Sequence, residues 1–259
     1  MSKRVITAVI ALMLFIPIVG IGSWPLEVLM GLAALLGQTE FIQMNKLKVG
    51  SFPSILTGSG ALAIVFSERL QPVMGEQVIA KIILLAAVLL LAYSIRQSKL
   101  KISQIGILTL MMTYIGIGFH SFVALRDLDL TVLVLVLIVI WVTDSGAFLI
   151  GREWGKNKLA PTISPNKTIE GAVGGTGVAT LVSAVYLVFF PLFNSYLLSL
   201  GFTVLVSAAG QLGDLIESKI KREHEVKDSG NLLPGHGGIL DRFDSLLLVL
   251  NVLFLIGLL

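Results

Sequence analysis

Apolar runs long enough to cross a bilayer recur from one end of this chain to the other. They fall at residues 5–21, 24–44, 52–67, 76–95, 102–119, 128–150, 169–190, 195–217 and 241–258. A membrane-spanning helix needs about 20 predominantly apolar residues. Inside hydrocarbon, every backbone N–H and C=O must find its partner within a helix or a closed barrel. Runs of this length predict a polytopic, all-α integral membrane protein with about nine transmembrane helices. Composition agrees, with 55% of the 259 residues hydrophobic and 14% charged, against about 25% charged in a soluble domain. No soluble domain of any size fits between the runs. With no cysteine in the chain, disulfides and thiolate-ligated metals are excluded. The second run is the least apolar, carrying Glu27, Gln38 and Glu40. The third holds Pro53 and a cluster of glycines and serines, and is expected to be broken or tilted. Residues 1–22 begin like a signal peptide, but no small-x-small cleavage pattern precedes Trp24 and Pro25. An uncleaved first helix is the expectation.

The basic residues give the orientation. Lys3 and Arg4, Lys46 and Lys48, Arg96, Lys99 and Lys101, Arg152, Lys156, Lys158 and Lys167, and Lys219, Lys221, Arg222, Lys227 and Arg242 all fall in one set of alternating connections. Of the 19 lysines and arginines, only Arg69, Lys81 and Arg126 fall in the other set. Cytosolic loops carry such an excess of positive charge. The N-terminus is therefore expected in the cytosol and the C-terminus outside. The two long polar loops, 151–168 and 218–240, then both face the cytosol. The external connections are short, and no internal repeat is evident, which weighs against a transporter built from paired repeats.

Ionisable groups within apolar spans are costly and point to function. At 1.5 Å per residue, Asp144 lies about 24 Å into the sixth run and Asp214 about 27 Å into the eighth, both near the inner edge of a hydrocarbon core roughly 30 Å thick. Asp241 and Asp244 open the ninth run from the cytosolic side. Four aspartates are thus expected in one layer. Asp214, Glu217, Ser218 and Lys221 follow i, i+3, i+4, i+7, and Asp241, Asp244 and Ser245 repeat the first three of those spacings. Each set shares one helical face. Carboxylates with hydroxyls suit a hard cation such as Mg²⁺, which shares oxygen ligands with substrate phosphates. The surrounding cations suit phosphate oxygens. The combination points to metal-assisted phosphoryl or nucleotidyl transfer at the membrane surface. Glu217 has Lys221 at i+4 as an alternative partner.

Other residues admit two uses. The 151–168 loop, with Arg152, Lys156, Lys158 and Lys167, is either a solvated positive-inside loop or a triphosphate clamp. Gly171, Gly174, Gly175 and Gly177 either cradle phosphate at a helix N-terminus or let helices approach closely, as in GxxxG packing. His236, flanked by glycines, is a candidate proton donor or ligand. His120 and His224 are read as structural or solvated.

At this point the stretch Ser218-x-Ile220-Lys221-Arg222-x4-Lys227-Asp228-x-Gly230-x2-Leu233-Pro234-x-His236-Gly237-Gly238-Ile239-x-Asp241-Arg242-Phe243-Asp244-Ser245 resembles, position for position, the signature of the phosphatidate cytidylyltransferases, or CDP-diacylglycerol synthases. Asp144-Ser-Gly-Ala, Gly151-Arg152, Lys156 and Lys158, Ser164-Pro165-x-Lys167-Thr168-x-Glu170-Gly171 and Gly213-Asp214-Leu-x-Glu217-Ser218 are similar to that family too. Ser145 and Ile169 depart from it, where a threonine and an aromatic would be expected, and neither removes a charge. The likeness covers residues 128–259. Residues 1–127 share only its hydropathy, so the chain is read as an N-terminal helical scaffold, 1–127, and a catalytic half, 128–259.

The resemblance implies the reaction phosphatidic acid plus CTP to CDP-diacylglycerol plus pyrophosphate, with Mg²⁺. It assigns metal coordination to Asp214 and Asp241, with Asp244 and Ser218 close by, and admits a second, monovalent cation such as K⁺; Asp144 joins the metal candidates from its depth in the sixth run. Asp214, Asp241, Lys221 and Lys227 are the candidate catalytic residues. Lys167, Ser164, Ser218, Arg222, Asp228, His236, Arg242 and Arg152 are the candidate substrate contacts. It further implies a bacterial inner membrane location with the site facing the cytosol, and lateral entry of the lipid from the inner leaflet. A homodimer is expected, for which the glycine-rich seventh run is one candidate face; no nucleic-acid partner is. Rival readings are a CTP-dependent kinase of a lipid alcohol, an enzyme acting on an ether-lipid phosphate, and an ion-coupled transporter using Asp144 and Asp214.

Overall fold

The structure, a computed structural model, describes residues 3–96, 100–230 and 237–259, with side chains from Leu12 onward. The described residues form two compact units, one of Met1–Asp127, Asp228–Arg242 and Leu253–Leu259, the other of Leu128–Lys227 and Phe243–Val252.

The first unit contains α1 (Lys3–Ile21), α2 (Ser23–Met44), α3 (Phe52–Val65), α4 (Ser67–Met74), α5 (Val78–Arg96) and α6 (Ile102–Leu128). Gly22, at φ 67°, breaks α1 from α2, a backbone region that favours glycine. The turn is held by Arg126, whose guanidinium donates to the carbonyls of Val19 (2.9 Å) and Gly20 (2.7 Å). Pro53 sits at the start of α3, where its missing N–H costs no helical bond. The third run is not broken at Pro53 or its glycines: α3 is continuous from Phe52 to Val65, and the chain turns only at Phe66, at the run's end, before α4 begins at Ser67. The core of this unit includes Leu26, Phe41, Ile64, Met112, Phe119 and Phe122. His120 is buried against the Ser67 hydroxyl and the Val65 carbonyl.

The second unit contains α7 (Leu130–Trp154), a hairpin of β1 (Lys158–Ala160) and β2 (Ser164–Thr168), α8 (Ile169–Phe189) and α9 (Tyr196–Glu223). The last helix, α10 (Leu240–Leu255), contributes residues to both units. Polar side chains cap the helix starts: Asp129 accepts from the amide of Thr131, Thr168 from Gly171 and Ser195 from Leu198. The glycines of α8 are used for packing within the chain. A side chain on Gly175 would meet the Thr143 carbonyl at 2.6 Å, and one on Gly171 the Ala147 carbonyl at 2.7 Å. These two glycines therefore face α7 and are not available as a surface for a second copy.

All nine apolar runs are helical among the described residues, as α1–α3 and α5–α10. Six helices, α2 and α5–α9, are long and apolar enough to cross a membrane. Large apolar side chains are exposed along them, among them Leu84, Leu110, Trp141, Phe148, Leu181 and Leu197. Exposed apolar surface on this scale marks a lipid-facing exterior, so this is an all-α membrane protein. The hairpin is the departure from the expected loop: α7 continues to Trp154, and residues 158–168 form a short antiparallel ribbon.

Candidate active site

Four segments of the second unit converge. Asp144 comes from α7, Lys167 from β2, Asp214, Glu217, Ser218 and Lys221 from α9, and Asp244 from α10. The Lys167 ammonium pairs with Oδ2 of Asp214. The Ser218 hydroxyl, one turn along α9, donates to Oδ1 of the same carboxylate at 3.2 Å. Asp144 lies within electrostatic range of Asp214, Asp244 and Lys167. Asp244 is in range of Asp214 and Lys221. The i, i+4 pairing of Glu217 with Lys221 is present at 3.3 Å, with both side chains largely buried.

Beneath these charges, a polar lock ties three helices. Thr143 of α7 donates to Ser207 of α9 at 2.9 Å, Ser207 meets Thr176 of α8 at 2.9 Å, and Gln211 donates to Thr176 at 2.9 Å. Thr143 precedes Asp144, and Gln211 is one turn before Asp214. The lock therefore sets how far apart α7 and α9 hold their carboxylates. Gly213 serves the same end, because a Cβ there would fall 2.6 Å from the Asp244 carbonyl. The hairpin bearing Lys167 is anchored by Glu170, whose carboxylate accepts from the amides of Lys156 (3.1 Å) and Asn157 (3.1 Å) and from the Asn157 side chain (2.6 Å).

Asp241 belongs to the first unit. Its Oδ2 accepts from the amides of Ser229 (2.8 Å) and Gly238 (2.8 Å) and from the Ser229 hydroxyl (3.0 Å). Gly237, at φ 80°, turns the chain into this arrangement.

The remaining candidates are more dispersed. Ser164 opens β2 opposite Ala160. Arg152 is bound to its neighbour Glu153 at 2.9 Å and lies over the Phe148 ring. Arg222 donates to the Val226 carbonyl at 3.0 Å, closing the end of α9. Lys227, Asp228 and Arg242 are exposed. His236 lies outside the described residues. Two carboxylates anchor backbone here that sequence reasoning did not single out: Glu170 at the hairpin, and Glu40 of α2, which accepts from the amides of Ile239 and Leu240. For Glu40 the available signal was a carboxylate within an apolar run.

The carboxylates and the Ser218 hydroxyl form an oxygen-only donor set, which suits a hard divalent cation. Asp214 already binds one cation, the Lys167 ammonium. Among the described residues, no three acidic or histidine side chains close around one point as a ready-made cage. The donor chemistry fits Mg²⁺, with Asp214 as the carboxylate that pairs with a cation, the Lys167 ammonium.

A profile of the cytidylyltransferase family matches residues 2–259, essentially the whole chain. The chain belongs to the cytidylyltransferase family. Within it, the chain is 40% identical over 260 residues to the phosphatidate cytidylyltransferase of Bacillus subtilis (strain 168), covering 98% of this chain and 96% of that one. It is 39% identical over 254 residues to the phosphatidate cytidylyltransferase of Staphylococcus haemolyticus (strain JCSC1435), covering 98% and 97%. It is 37% identical over 253 residues to that of Staphylococcus aureus (strain COL), with the same coverage. The likeness therefore extends through residues 1–127, beyond the C-terminal half in which the motifs were legible.

Proposed function

We propose that this cytidylyltransferase-family protein is a phosphatidate cytidylyltransferase, transferring CMP from CTP to phosphatidic acid and releasing pyrophosphate. The observation that carries this reading is the match to phosphatidate cytidylyltransferases along 98% of the chain. The cluster of Asp144, Lys167, Asp214, Ser218 and Asp244 supplies chemistry suited to it. A phosphate oxygen of the lipid attacks the α-phosphorus of CTP. The bond from that phosphorus to the β-phosphate oxygen breaks, and pyrophosphate leaves. No protein nucleophile is required, so the protein's task is positioning and charge neutralisation.

In this reading Asp214, Asp144 and Asp244 would hold Mg²⁺, and the resemblance adds Asp241. When bound, the ion would offset the negative charge of the triphosphate. Lys167 releases Asp214 and takes a phosphate oxygen. Lys221, with Glu217 fixing its position, and Lys227, Arg222 and Arg242 meet the triphosphate and the lipid phosphate, while Ser164, Asp228, His236 and Arg152 complete the substrate contacts. K⁺ is proposed as a second cation. We place the site at the cytosolic face of a bacterial inner membrane, with nine spans, a cytosolic N-terminus and a homodimeric assembly. The native chain has no cysteine, so single introduced cysteines at residues 48, 158 and 227 test that orientation by labelling from one side.

The activity is tested by incubating purified protein with phosphatidic acid, α-labelled CTP and Mg²⁺. Label is expected in the lipid fraction. Label remaining in CDP, with phosphate moved to an alcohol acceptor, would show a kinase instead.

A further inference from the structure

The segment Asp228–Arg242 carries much of the signature, yet its described residues, 228–230 and 237–242, pack with the N-terminal helices. Among its contacts there is one buried carboxylate. Glu40 of α2 is only 6% exposed. Its Oε1 accepts from the amide of Ile239 at 2.7 Å, and its Oε2 from the amide of Leu240 at 3.0 Å and the Ser229 hydroxyl at 2.9 Å. The Ser229 hydroxyl also reaches Oδ2 of Asp241 at 3.0 Å, so one hydroxyl joins the two carboxylates. The glycines around Glu40 are shaped to it: a Cβ on Gly230 would lie 2.8 Å from Oε1, and one on Gly238 would collide with the Glu40 carboxylate and Ser229.

The Ile239 and Leu240 amides stand at the start of α10, where helices leave N–H groups without intrahelical partners. Local side chains ordinarily satisfy such groups. Here the cap comes from α2, almost 200 residues earlier. A carboxylate at this end is also favoured by the helix dipole. Burying a charge is costly unless it is fully bonded, and Glu40 meets that cost with donors from this one segment. Its placement is therefore specific to the segment and does more than fill the core.

We propose that Glu40 is a positioning residue for the reaction: it fixes the start of α10 and, through Ser229, the orientation of the Asp241 carboxylate. The N-terminal helices thereby contribute to catalysis as well as to the membrane scaffold. This rests on the reading of Asp241 as a metal-directed carboxylate.

The test uses full-length protein in detergent or nanodiscs. Glu40→Gln keeps the shape but leaves one acceptor oxygen for donors that now use two, and turns an NH₂ group toward amides. It is expected to lower kcat and raise the Mg²⁺ concentration for half-maximal rate, the larger change being roughly tenfold or more. Amide exchange at Ser229, Gly238, Ile239 and Leu240 should rise about tenfold while α7–α9 keep their protection. Glu40→Asp, which retains both acceptors, should recover part of each loss. Ser229→Ala removes the hydroxyl that joins Glu40 to Asp241 while leaving the Ile239 and Leu240 amides on Glu40, and should shift the Mg²⁺ dependence in the same direction by less, which keeps the proposal testable if Glu40→Gln does not fold. Wild-type kcat and Mg²⁺ dependence in the folded Glu40→Gln protein, or in Ser229→Ala where Glu40→Gln does not fold, would overturn the proposal. So would a loss of rate with unchanged exchange at those four amides. If wild-type protein transfers no CMP, the functional reading fails, while the exchange data still report whether Glu40 orders the segment.

Discussion

Asp214 and Asp241 are both candidate metal-directed carboxylates, and they are held in opposite ways. Asp214 is bound by the Lys167 ammonium and the Ser218 hydroxyl, both side chains. Asp241 is bound by two backbone amides and a hydroxyl that Glu40 also holds. Side-chain partners can swing away at the cost of a rotamer change, whereas backbone amides move only with the segment that bears them. The first arrangement suits a carboxylate that exchanges one cation for another during turnover. The second suits a carboxylate whose direction is built into the fold.

The largest test of that contrast removes the exchangeable carboxylate. Asp214→Ala should reduce CMP transfer by about 10²–10³-fold, while the protein still inserts and purifies. Near-full activity in the label-transfer assay would remove Asp214 from the site. Releasing the carboxylate from its internal cation is gentler. Lys167→Met should raise the KM for CTP roughly tenfold, and Lys167→Arg, which keeps the charge, should do so by less. Steady-state kinetics with varied CTP distinguish the two. Packing below the charges comes next. Gly213→Val sets a side chain against the Asp244 carbonyl, which cannot yield without moving α10. A loss of about 1–3 kcal/mol is expected, read as a lower melting temperature in detergent. Thr143→Val gives the smallest effect. It removes the lock's one hydroxyl bond from α7, to Ser207, worth about 1 kcal/mol, and kcat should stay within about twofold because the close approach of α8 at Gly171 and Gly175 still holds α7 in place.

Nine of the helices were legible because each contains a long apolar run; α4, eight residues with Glu68, Arg69 and Gln71, carries no such run and was not. Pro53 and the nearby glycines suggested a break that the third run does not have, because a proline in the first turn costs no helical bond and α3 passes through the glycines unbroken. Local pairs were also readable. Ser218 with Asp214 and Lys221 with Glu217 are one helical turn apart, so spacing placed them on one face before any coordinates did. The β1–β2 hairpin was not readable. Strands of three and five residues carry too little alternation to stand out, and this ribbon is anchored at its base by Glu170 and Thr168. The use of the α8 glycines against α7 was left open by sequence, since a GxxxG spacing serves a neighbour in the same chain or in another. Glu40 was the least legible. It stood out only as a polar residue in the least apolar run, and its donors lie in a segment about 190–200 residues away.

In cytidylyl transfer the lipid phosphate attacks CTP and stays in the product. This is tested most directly by turning over phosphatidic acid enriched in ¹⁸O in its phosphate group with unlabelled CTP, and locating the isotope by mass spectrometry. Cytidylyl transfer predicts all of the ¹⁸O in CDP-diacylglycerol and none in the released pyrophosphate. Isotope appearing in pyrophosphate, or CDP formed with no nucleotidyl lipid, would contradict the account.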